Sequence, residues 1–304
     1  MKKFGITGLA LVSLIASCGD SESGAGGDGG AGGEPGAGGD GGAGGASAVA
    51  IEFEAVVGDE LFVCGETYDN LGANDTSLEL SDLRFYVQDV ELVTASGDAV
   101  QLNMDESEWQ LPNLALLDFE DGCGDLGNEP TNRTISGTIA SGDYVGIRFK
   151  MGVPFTENHE NPSVAPSPLN LTSMHWNWQG GYKFLRIDSG SVSPTDWRMH
   201  LGSTACDGDP ASGGTTMCAN PNRVDVELPT FDPATDVVVF DFAALVDGAA
   251  LDVNQEGTPV GCMAGPMDSD CAPLFDNLGL AFGGSVPVGP QTVFSVLQGA
   301  TLPQ

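Results

Sequence analysis

The side chains best suited to metal chemistry are concentrated between Gly152 and Cys206. This segment contains all three histidines of the chain, three of its four tryptophans and two of its eight methionines. They are His159, His175, His200, Trp176, Trp178, Trp197, Met174 and Met199. Imidazole and thioether groups are good copper ligands. A chain so poor in histidine that places every one of them in a single segment is predicted to build a metal site there.

The centre of this segment is the run MHWNWQ, residues 174–179, which follows a proline-rich loop. In an extended strand, Met174, Trp176 and Trp178 would share one face of the strand. His175 would then lie on the opposite face. An ordinary strand whose aromatic face belongs to the core accounts for this spacing without any metal, so the run alone does not define a site.

His159 in ENHENP and His200 in RMHLG bracket that run, and each lies beside loop signals. A single loop histidine is usually solvated, but two of them around an aromatic strand favour a metal site. The folded part of the sequence has no GxSxG, HExxH, P-loop or Rossmann glycine pattern. We therefore predict a binding protein and not an enzyme. A hydrolase with paired carboxylates such as Glu157 and Glu160 is the enzymatic alternative.

Of the seven cysteines, six remain when Cys18 is set aside. They are Cys64, Cys123, Cys206, Cys218, Cys262 and Cys271. An even number in an exported chain indicates three disulfides, for which fifteen pairings are possible. The short separations favour Cys206–Cys218 and Cys262–Cys271, which leaves Cys64–Cys123. A soft metal–thiolate cluster is the alternative use of these residues, although none has CxxC spacing.

The N-terminal residues are typical of an exported lipoprotein. Residues 1–17 combine two lysines with a short apolar run and predict a lipoprotein signal peptide. The sequence LIASC resembles a bacterial lipobox, so Cys18 is expected to be acylated. Residues 18–46 are a glycine-rich flexible tether with a reach of roughly 30 Å. The folded domain is predicted at residues 47–304, held in the cell envelope, in the periplasm or at the outer-membrane surface, by this lipid anchor alone.

The chain is strongly acidic, with 43 Asp and Glu residues against 10 Lys and Arg residues and a net charge of -33. Such a field repels nucleic acid, which excludes nucleic-acid binding, and attracts cations and basic partners. Two Asp-rich loops, CDGD at residues 206–209 and MDSD at residues 267–270, have side chains that suit Ca²⁺. The alternative function is therefore a disulfide-rich surface or interaction module with structural Ca²⁺.

Alternating apolar and polar residues predict an all-β fold. The predicted strands are residues 50–57, 83–93, 134–139, 144–151, 222–228 and 236–242. Helical periodicity is scarce, with short helical turns predicted at residues 113–118 and 273–278. Short strands separated by long irregular loops indicate a single β-sandwich domain whose loops are stapled by disulfides.

Six ordered motifs resemble the MbnP family, which is also described as the four-Cys member of a metallo-mystery pair. The motifs are RFYVQDVEL (84–92), LLDFEDGCG (116–124), GVPFTENH (152–159), MHWNWQGGYKF (174–184), HLGSTAC (200–206) and GCM…DCAPLFDNLGL (261–280). The resemblance covers most of residues 50–284. It implies a β-sandwich that binds copper, as Cu(I) or Cu(II).

The resemblance also implies a partner and a modification. Members of the family are paired with MbnH, a dihaem protein of the MauG and bacterial cytochrome c peroxidase type, which oxidises a tryptophan to kynurenine. The related copper proteins MopE and CorA bind Cu(I) through two histidines and a kynurenine. By this resemblance the modified residue is Trp176 or Trp178.

The metal ligands implied by the resemblance are His159 and His200, which match histidines of the family. Met174 also matches a family position and would supply a soft axial ligand. His175 occupies a variable position of the motif, so the resemblance gives it no role as a ligand.

Overall fold

The computed structural model describes residues 45–124, 127–177, 179–190, 196–208 and 214–299. The predicted signal peptide, Cys18 and nearly all of the predicted tether lie outside these residues, as does Trp178. The described residues belong to one compact unit, which spans Ala43–Gln304. Among them, no helix is both long enough and apolar enough to cross a membrane.

The described residues form short strands and a few helical turns. The strands are β1 (Ala46–Val57), β2 (Glu60–Leu61), β3 (Thr67–Leu71), β4 (Thr76–Thr94), β5 (Ala99–Gln101), β6 (Asn103–Met104), β7 (Gln110–Leu111), β8 (Leu114–Asp118), β9 (Thr134–Ala140), β10 (Tyr144–Met151), β11 (His175–Asn177), β12 (Gly181–Tyr182), β13 (Leu185–Ser189), β14 (Arg198–Leu201), β15 (Thr204–Cys206), β16 (Cys218–Asn220), β17 (Val224–Leu228), β18 (Val237–Asp241) and β19 (Phe294–Leu297). The α-helices are α1 (Phe155–Asn158), α2 (Phe242–Leu245) and α3 (Ala272–Asn277), and 3₁₀ turns span Gly72–Asn74, Thr172–Met174 and Ser269–Cys271.

Two sheets make up the β-sandwich that the alternating pattern predicts. The first has the strand order β19-β18-β1-β9-β6, with β2 paired to β1. The second has the order β14-β13-β4-β10-β17; β3, β5 and β8 also pair with β4, and β7 pairs with β8. Two separate hairpins, β11-β12 and β15-β16, complete the described strands. The predicted all-β class is confirmed.

The interior of the sandwich is filled by aromatic and aliphatic side chains from both sheets. Phe85 on β4 stacks on Phe240 of β18 at 5.2 Å between ring centroids. Phe149 on β10 meets Phe53 of β1 edge to face at 5.8 Å. These contacts join the inner faces of the two sheets. Burial of this apolar area is the main source of stability for the sandwich.

Strand β4 organises the second sheet because it is 19 residues long and pairs with five other strands. Its inner face contributes Leu83, Phe85 and Val87 to the interior. Its outer face carries Arg84 and Tyr86, which are also fully buried. A strand that is buried on both faces must be covered by other parts of the chain, and here that cover carries the candidate site.

Most of the predicted elements are present, and one is wrong. Residues 144–151 form β10 within the predicted bounds, and residues 273–278 fall largely on α3. Residues 113–118, for which a helical turn was expected, contain strand β8. All five residues of β8 are buried, and it pairs with β4 from Leu114 to Asp118. A short apolar run that is buried on both faces lacks the alternation that identifies a strand.

Candidate metal centre

Residues 152–184, hereafter the covering segment, connect β10 to β13 and lie over the outer face of the second sheet. Gly152 N donates to Tyr86 O at 2.8 Å, and Tyr86 N donates to Phe184 O at 2.9 Å. A second apolar cluster forms beneath the segment; its buried members are Tyr86, Leu114, Leu116, Val153, Leu169, Met174, Tyr182 and Phe184. The sheet therefore anchors the segment that contains most of the predicted site residues.

Asn158 fixes the position of the first histidine. It is fully buried, and its Oδ1 accepts a hydrogen bond from Tyr182 N at 3.0 Å. The chain passes so close at Gly181 that a Cβ atom there would lie 2.4 Å from the Asn158 carbonyl oxygen, and Gly181 has a φ of +74°. Only glycine accepts both constraints without strain. The β11-β12 hairpin is thereby held against the end of α1, next to His159.

His159 belongs to the covering segment and lies beside the β15-β16 hairpin. Its Nε2 atom is 3.2 Å from Asn158 Nδ2 and 3.4 Å from the Sγ atom of Cys218. A ring nitrogen of His159 and the Sγ atoms of Cys206 and Cys218 all lie within 4.8 Å of one another. The predicted ligand His159 is thus partly buried beside two sulfur atoms.

His175 lies on the β11-β12 hairpin, which Asn158 holds next to His159, although the resemblance gives it no role. It pairs with Tyr182 across the β11-β12 hairpin, and the two rings are 4.8 Å apart in an edge-to-face arrangement. Its Nε2 atom is buried and has no hydrogen-bond partner. Burial, followed by the charges of His159 and Lys183, lowers the pKa of His175 to about 4. At neutral pH its imidazole is therefore uncharged and has a lone pair available for a metal.

His200 is buried and bound to a carboxylate. Its Nε2 atom lies 2.7 Å from Asp188 Oδ1. Burial by itself would raise the pKa of Asp188, but the hydrogen bond with His200 and the charge of Arg186 bring it below the usual value. An ionised carboxylate only accepts hydrogen bonds, so Nε2 of His200 is the donor. Among the described contacts, none joins His200 to His159, and the role of His200 as a ligand stays a prediction.

Met174 and Trp176 pack in different places: Met174 in the second apolar cluster and Trp176 against the apolar interior of the sandwich. Met174 ends a 3₁₀ turn and is fully buried in the second apolar cluster, where its sulfur lies among apolar side chains. Trp176 is half-buried and packs over Gly202, where a Cβ atom would lie 2.6 Å from its Cζ3 atom. Trp176 also lines an open cavity of about 400 Å³ together with Cys206 and Met263. Trp178, the other candidate for oxidation, lies outside the described residues.

The sequence profile of the MbnP family matches residues 46–264. A solved structure, MbnP from Methylosinus trichosporium, superposes with a TM-score of 0.74 and 32% sequence identity. That similarity covers 84% of this chain and 99% of the other. The chain belongs to the MbnP family. No curated protein sequence matches it.

The part of the chain that matches the MbnP profile contains all the described residues of the candidate centre. It also contains five of the six cysteines after Cys18, since only Cys271 lies beyond residue 264. The three disulfides are Cys64–Cys123, Cys206–Cys218 and Cys262–Cys271. The pairing predicted from the sequence separations is confirmed in full.

A buried network of charges in this MbnP-family chain was missed by the sequence analysis. Arg84 Nε donates to Asp82 at 2.8 Å, and Arg84 Nη1 lies 3.5 Å from Glu120. Arg186 Nε lies 3.1 Å from Asp82 and donates to Asp188 at 2.8 Å. The network thus runs from Glu120 across β4 and β13 to His200. Two sequence patterns could have indicated this network: D-x-R at residues 82–84 on β4 and R-x-D at residues 186–188 on β13. Each pattern places opposite charges on one face of a strand.

Two described aspartates of the loops proposed for Ca²⁺, Asp207 and Asp268, each accept hydrogen bonds from backbone N–H groups, while Oδ2 of Asp268 is buried without a hydrogen-bond partner. Asp207 Oδ1 accepts hydrogen bonds from the backbone N–H groups of Thr216 and Met217 at 2.7 and 2.8 Å. Asp268 Oδ1 accepts from Asp270 N at 3.2 Å. These contacts explain why aspartates occur in the two loops. The Ca²⁺ hypothesis stays a prediction.

Proposed function

We propose that this member of the MbnP family is a copper-binding protein of the cell envelope. The proposal is carried by one observation, the buried Nε2 atom of His175, which has no hydrogen-bond partner. A buried polar atom without a partner costs free energy, and a bound metal ion would offset that cost. The residues present therefore fit a metal at this position.

The donor set favours copper over zinc. His175 remains neutral well below pH 7, and neutral imidazole is a good ligand for copper. Structural zinc sites use four protein ligands in a closed tetrahedron, and the cysteines beside His159 are held in a disulfide that supplies no thiolate. Two imidazoles and an aryl amine, which an oxidised tryptophan would supply, suit Cu(I). We assign His159 and His175 as the imidazole pair, in place of the pair His159 and His200 that the resemblance implies.

Trp176 is proposed as the residue that completes the site after oxidation to kynurenine. Opening of the indole ring replaces its N–H donor with an aryl amine and a carbonyl group, which are able to bind a metal. Trp176 borders an open cavity together with Cys206, so an oxidant or a partner protein has access to this side of the domain. Cys218, the disulfide partner of Cys206, lies beside His159. A dihaem partner of the MbnH type would supply the oxidising equivalents. In this proposal the chain is a substrate of that partner and is not itself an enzyme.

The acidic surface and the N-terminal sequence support a place in the cell envelope. A net charge of -33 attracts copper ions and a basic face of a partner protein. The lipobox-like sequence that ends at Cys18 would anchor the domain, and the glycine-rich tether would hold it away from the membrane. Met174 and His200 are secondary candidates for ligands, because Met174 packs among apolar groups and His200 is bound to Asp188.

The test is to purify the protein after coexpression with an MbnH-type dihaem protein and to measure bound copper and Cu(I) affinity. Mass spectrometry of the peptide Met174–Lys183 reports whether Trp176 or Trp178 has become kynurenine. We expect about one copper ion per chain. His159→Asn and His175→Asn should abolish binding, while His200→Asn should retain it. A modified protein that takes up no copper would overturn the proposed function.

The three histidine variants also decide between the two ligand assignments. If His200→Asn loses copper and His175→Asn retains it, the ligand role returns to His200. Denaturation midpoints of the three variants serve as the control, because His200 is bound to the buried charge network and His175 is not part of it. A variant that is folded and copper-free has lost a ligand, whereas a variant that is unfolded has lost the scaffold.

A further inference from the structure

The disulfide Cys206–Cys218 lies beside the proposed copper site and has no function in it. It joins the two strands of the β15-β16 hairpin, where Cys206 and Cys218 are direct cross-strand partners. His159 Nε2 is 3.4 Å from Cys218 Sγ, and ligand atoms of all three residues lie within 4.8 Å of one another. Two sulfur atoms and an imidazole nitrogen at this separation match the donor set of a soft-metal site.

We propose that reduction of Cys206–Cys218 creates a second metal-binding state, in which both thiolates and His159 bind a thiophilic ion. This inference rests on the proposed copper function for the identity of that ion as Cu(I). It does not depend on oxidation of Trp176. Because thiolates are softer than imidazole or an aryl amine, the reduced state would hold Cu(I) more tightly than the oxidised state.

The reaction that opens the site is thiol–disulfide exchange with a dithiol reductant. One thiolate of the reductant attacks a sulfur of the disulfide, and its second thiol resolves the mixed disulfide. Two electrons and two protons pass to Cys206 and Cys218, the S–S bond breaks, and the reductant becomes a disulfide. When a metal ion binds, the two thiols release their protons and become thiolates.

The environment of this disulfide allows it to be reduced while the interior disulfide stays intact. Both of its cysteines are half-buried, and Cys206 lines the cavity of about 400 Å³ that also contains Trp176. Both cysteines of Cys262–Cys271, in contrast, are fully buried in the interior of the sandwich. A reductant and then a metal ion therefore have a route to Cys206 that the interior disulfide lacks.

The third disulfide provides a matched control. Cys64–Cys123 is also accessible, and ligand atoms of Cys64, Cys123 and Asp121 lie within 4.8 Å of one another. The cluster at Cys64–Cys123 has a carboxylate as its third donor, whereas the cluster at Cys206–Cys218 has the imidazole of His159. The variant Cys64→Ser/Cys123→Ser removes it and leaves Cys206–Cys218 as the accessible pair. The variant Cys206→Ser/Cys218→Ser does the reverse.

The experiment uses Cd²⁺ as the probe, because Cd²⁺ is thiophilic and does not oxidise thiols. The full chain, expressed without a dihaem partner so that its tryptophans are unmodified, is treated anaerobically with a dithiol, separated from it, and titrated with Cd²⁺. In the Cys64→Ser/Cys123→Ser background we expect a thiolate-to-cadmium charge-transfer band that saturates at about one ion per chain. Further substitution of Cys206 and Cys218 by Ser should remove the band. His159→Gln should weaken binding at least about tenfold.

Two results would overturn the proposal. One is a band of equal amplitude after Cys206 and Cys218 are replaced, and the other is a Cd²⁺ affinity that His159→Gln leaves unchanged. If the serine variants do not fold, alkylation of the reduced wild-type chain with and without Cd²⁺ gives the same decision. Protection of Cys206 and Cys218 supports the proposal, and protection of Cys64 and Cys123 alone refutes it. Because no copper or kynurenine is involved, failure of the proposed function would leave these outcomes unchanged.

Discussion

The two faces of strand β4 are both buried around residues 83–87 but are stabilised by different forces. On the inner face, Leu83, Phe85 and Val87 of β4 pack against the first sheet. On the outer face, Arg84 is fully buried between Asp82 and Glu120. Apolar contacts on the inner face are non-directional and tolerate small changes of shape. Buried charges on the outer face require each partner to be in place.

This difference explains where the candidate centre lies. His159, His175 and Trp176 belong to the covering segment over the outer face, and Trp176 also packs against the apolar interior of the sandwich. Hydrogen bonds and ion pairs have preferred geometries, so a layer built from them holds polar side chains in fixed positions. A layer built only from apolar contacts has no partners for an imidazole. The comparison between the two faces leads to four predictions, ordered from the largest expected effect to the smallest.

Arg84→Leu is expected to lower the free energy of unfolding by about 3 to 5 kcal/mol, because it leaves Glu120 buried without its ion-pair partner and Asp82 with Arg186 alone. The measurement is equilibrium denaturation at neutral pH with the disulfides intact. The matched control is the triple variant Arg84→Leu/Asp82→Asn/Glu120→Gln, which removes the unpaired charges and should recover part of the loss. A loss below about 1 kcal/mol for Arg84→Leu would show that the outer face does not depend on its ion pairs.

Asp118→Asn is expected to change the pH dependence of stability. Burial, opposed by Arg84 and reinforced by Glu120 and Asp82, raises the pKa of Asp118 to about 8. A pKa that is higher in the folded state means that this contribution is present in full below about pH 4 and is lost as the pH rises through about 8. The wild type should therefore lose up to about 1.4 kcal/mol per pH unit within this window relative to Asp118→Asn. If the free energy of unfolding changes with pH in the same way for the wild type and for Asp118→Asn, the raised pKa of Asp118 is contradicted.

Ile187→Val tests the inner face next to the charged residues of β13. Ile187 is fully buried in the interior, between Arg186 and Asp188 in sequence. Loss of one methylene group there should cost about 0.5 to 1.5 kcal/mol. Because no charge is involved, the cost should be the same at low and high salt and across the pH range. A cost that varies with pH would mean that the two faces are coupled through β13.

Arg148→Ala is expected to have the smallest effect, at most about 1 kcal/mol. Its side chain is 39% exposed and forms an ion pair of 2.6 Å with Glu227, which is 63% exposed. Water screens this pair, and salt should weaken it further. Arg148 is thus the exposed counterpart of Arg84 in the same sheet. An effect comparable to that of Arg84→Leu would remove the distinction between exposed and buried ion pairs on which the comparison rests.

The outer face illustrates what a sequence pattern leaves open. The residues LRFYVQDVEL alternate, and this alternation correctly predicts a strand with one apolar face. It also suggests that Arg84 faces solvent, since charged residues on the second face of a strand usually do. Arg84 is buried because residues distant in sequence, including Glu120 and Asn128, reach it. Strand periodicity contains no information about which distant segment covers a face.

Local chemistry determined a large part of this protein. Alternation within short segments predicts the longer strands, and short sequence separations favour Cys206–Cys218 and Cys262–Cys271, because both signals depend on residues that are near one another in the chain. The concentration of histidine, tryptophan and methionine between residues 152 and 206 marks the region of the candidate centre. Only the tertiary structure decides which of these side chains meet. It places His159 beside Cys218, His175 against Tyr182 and His200 beside Asp188. The physical reason is that the covering segment folds back over the sheet through contacts that no periodicity within the segment specifies.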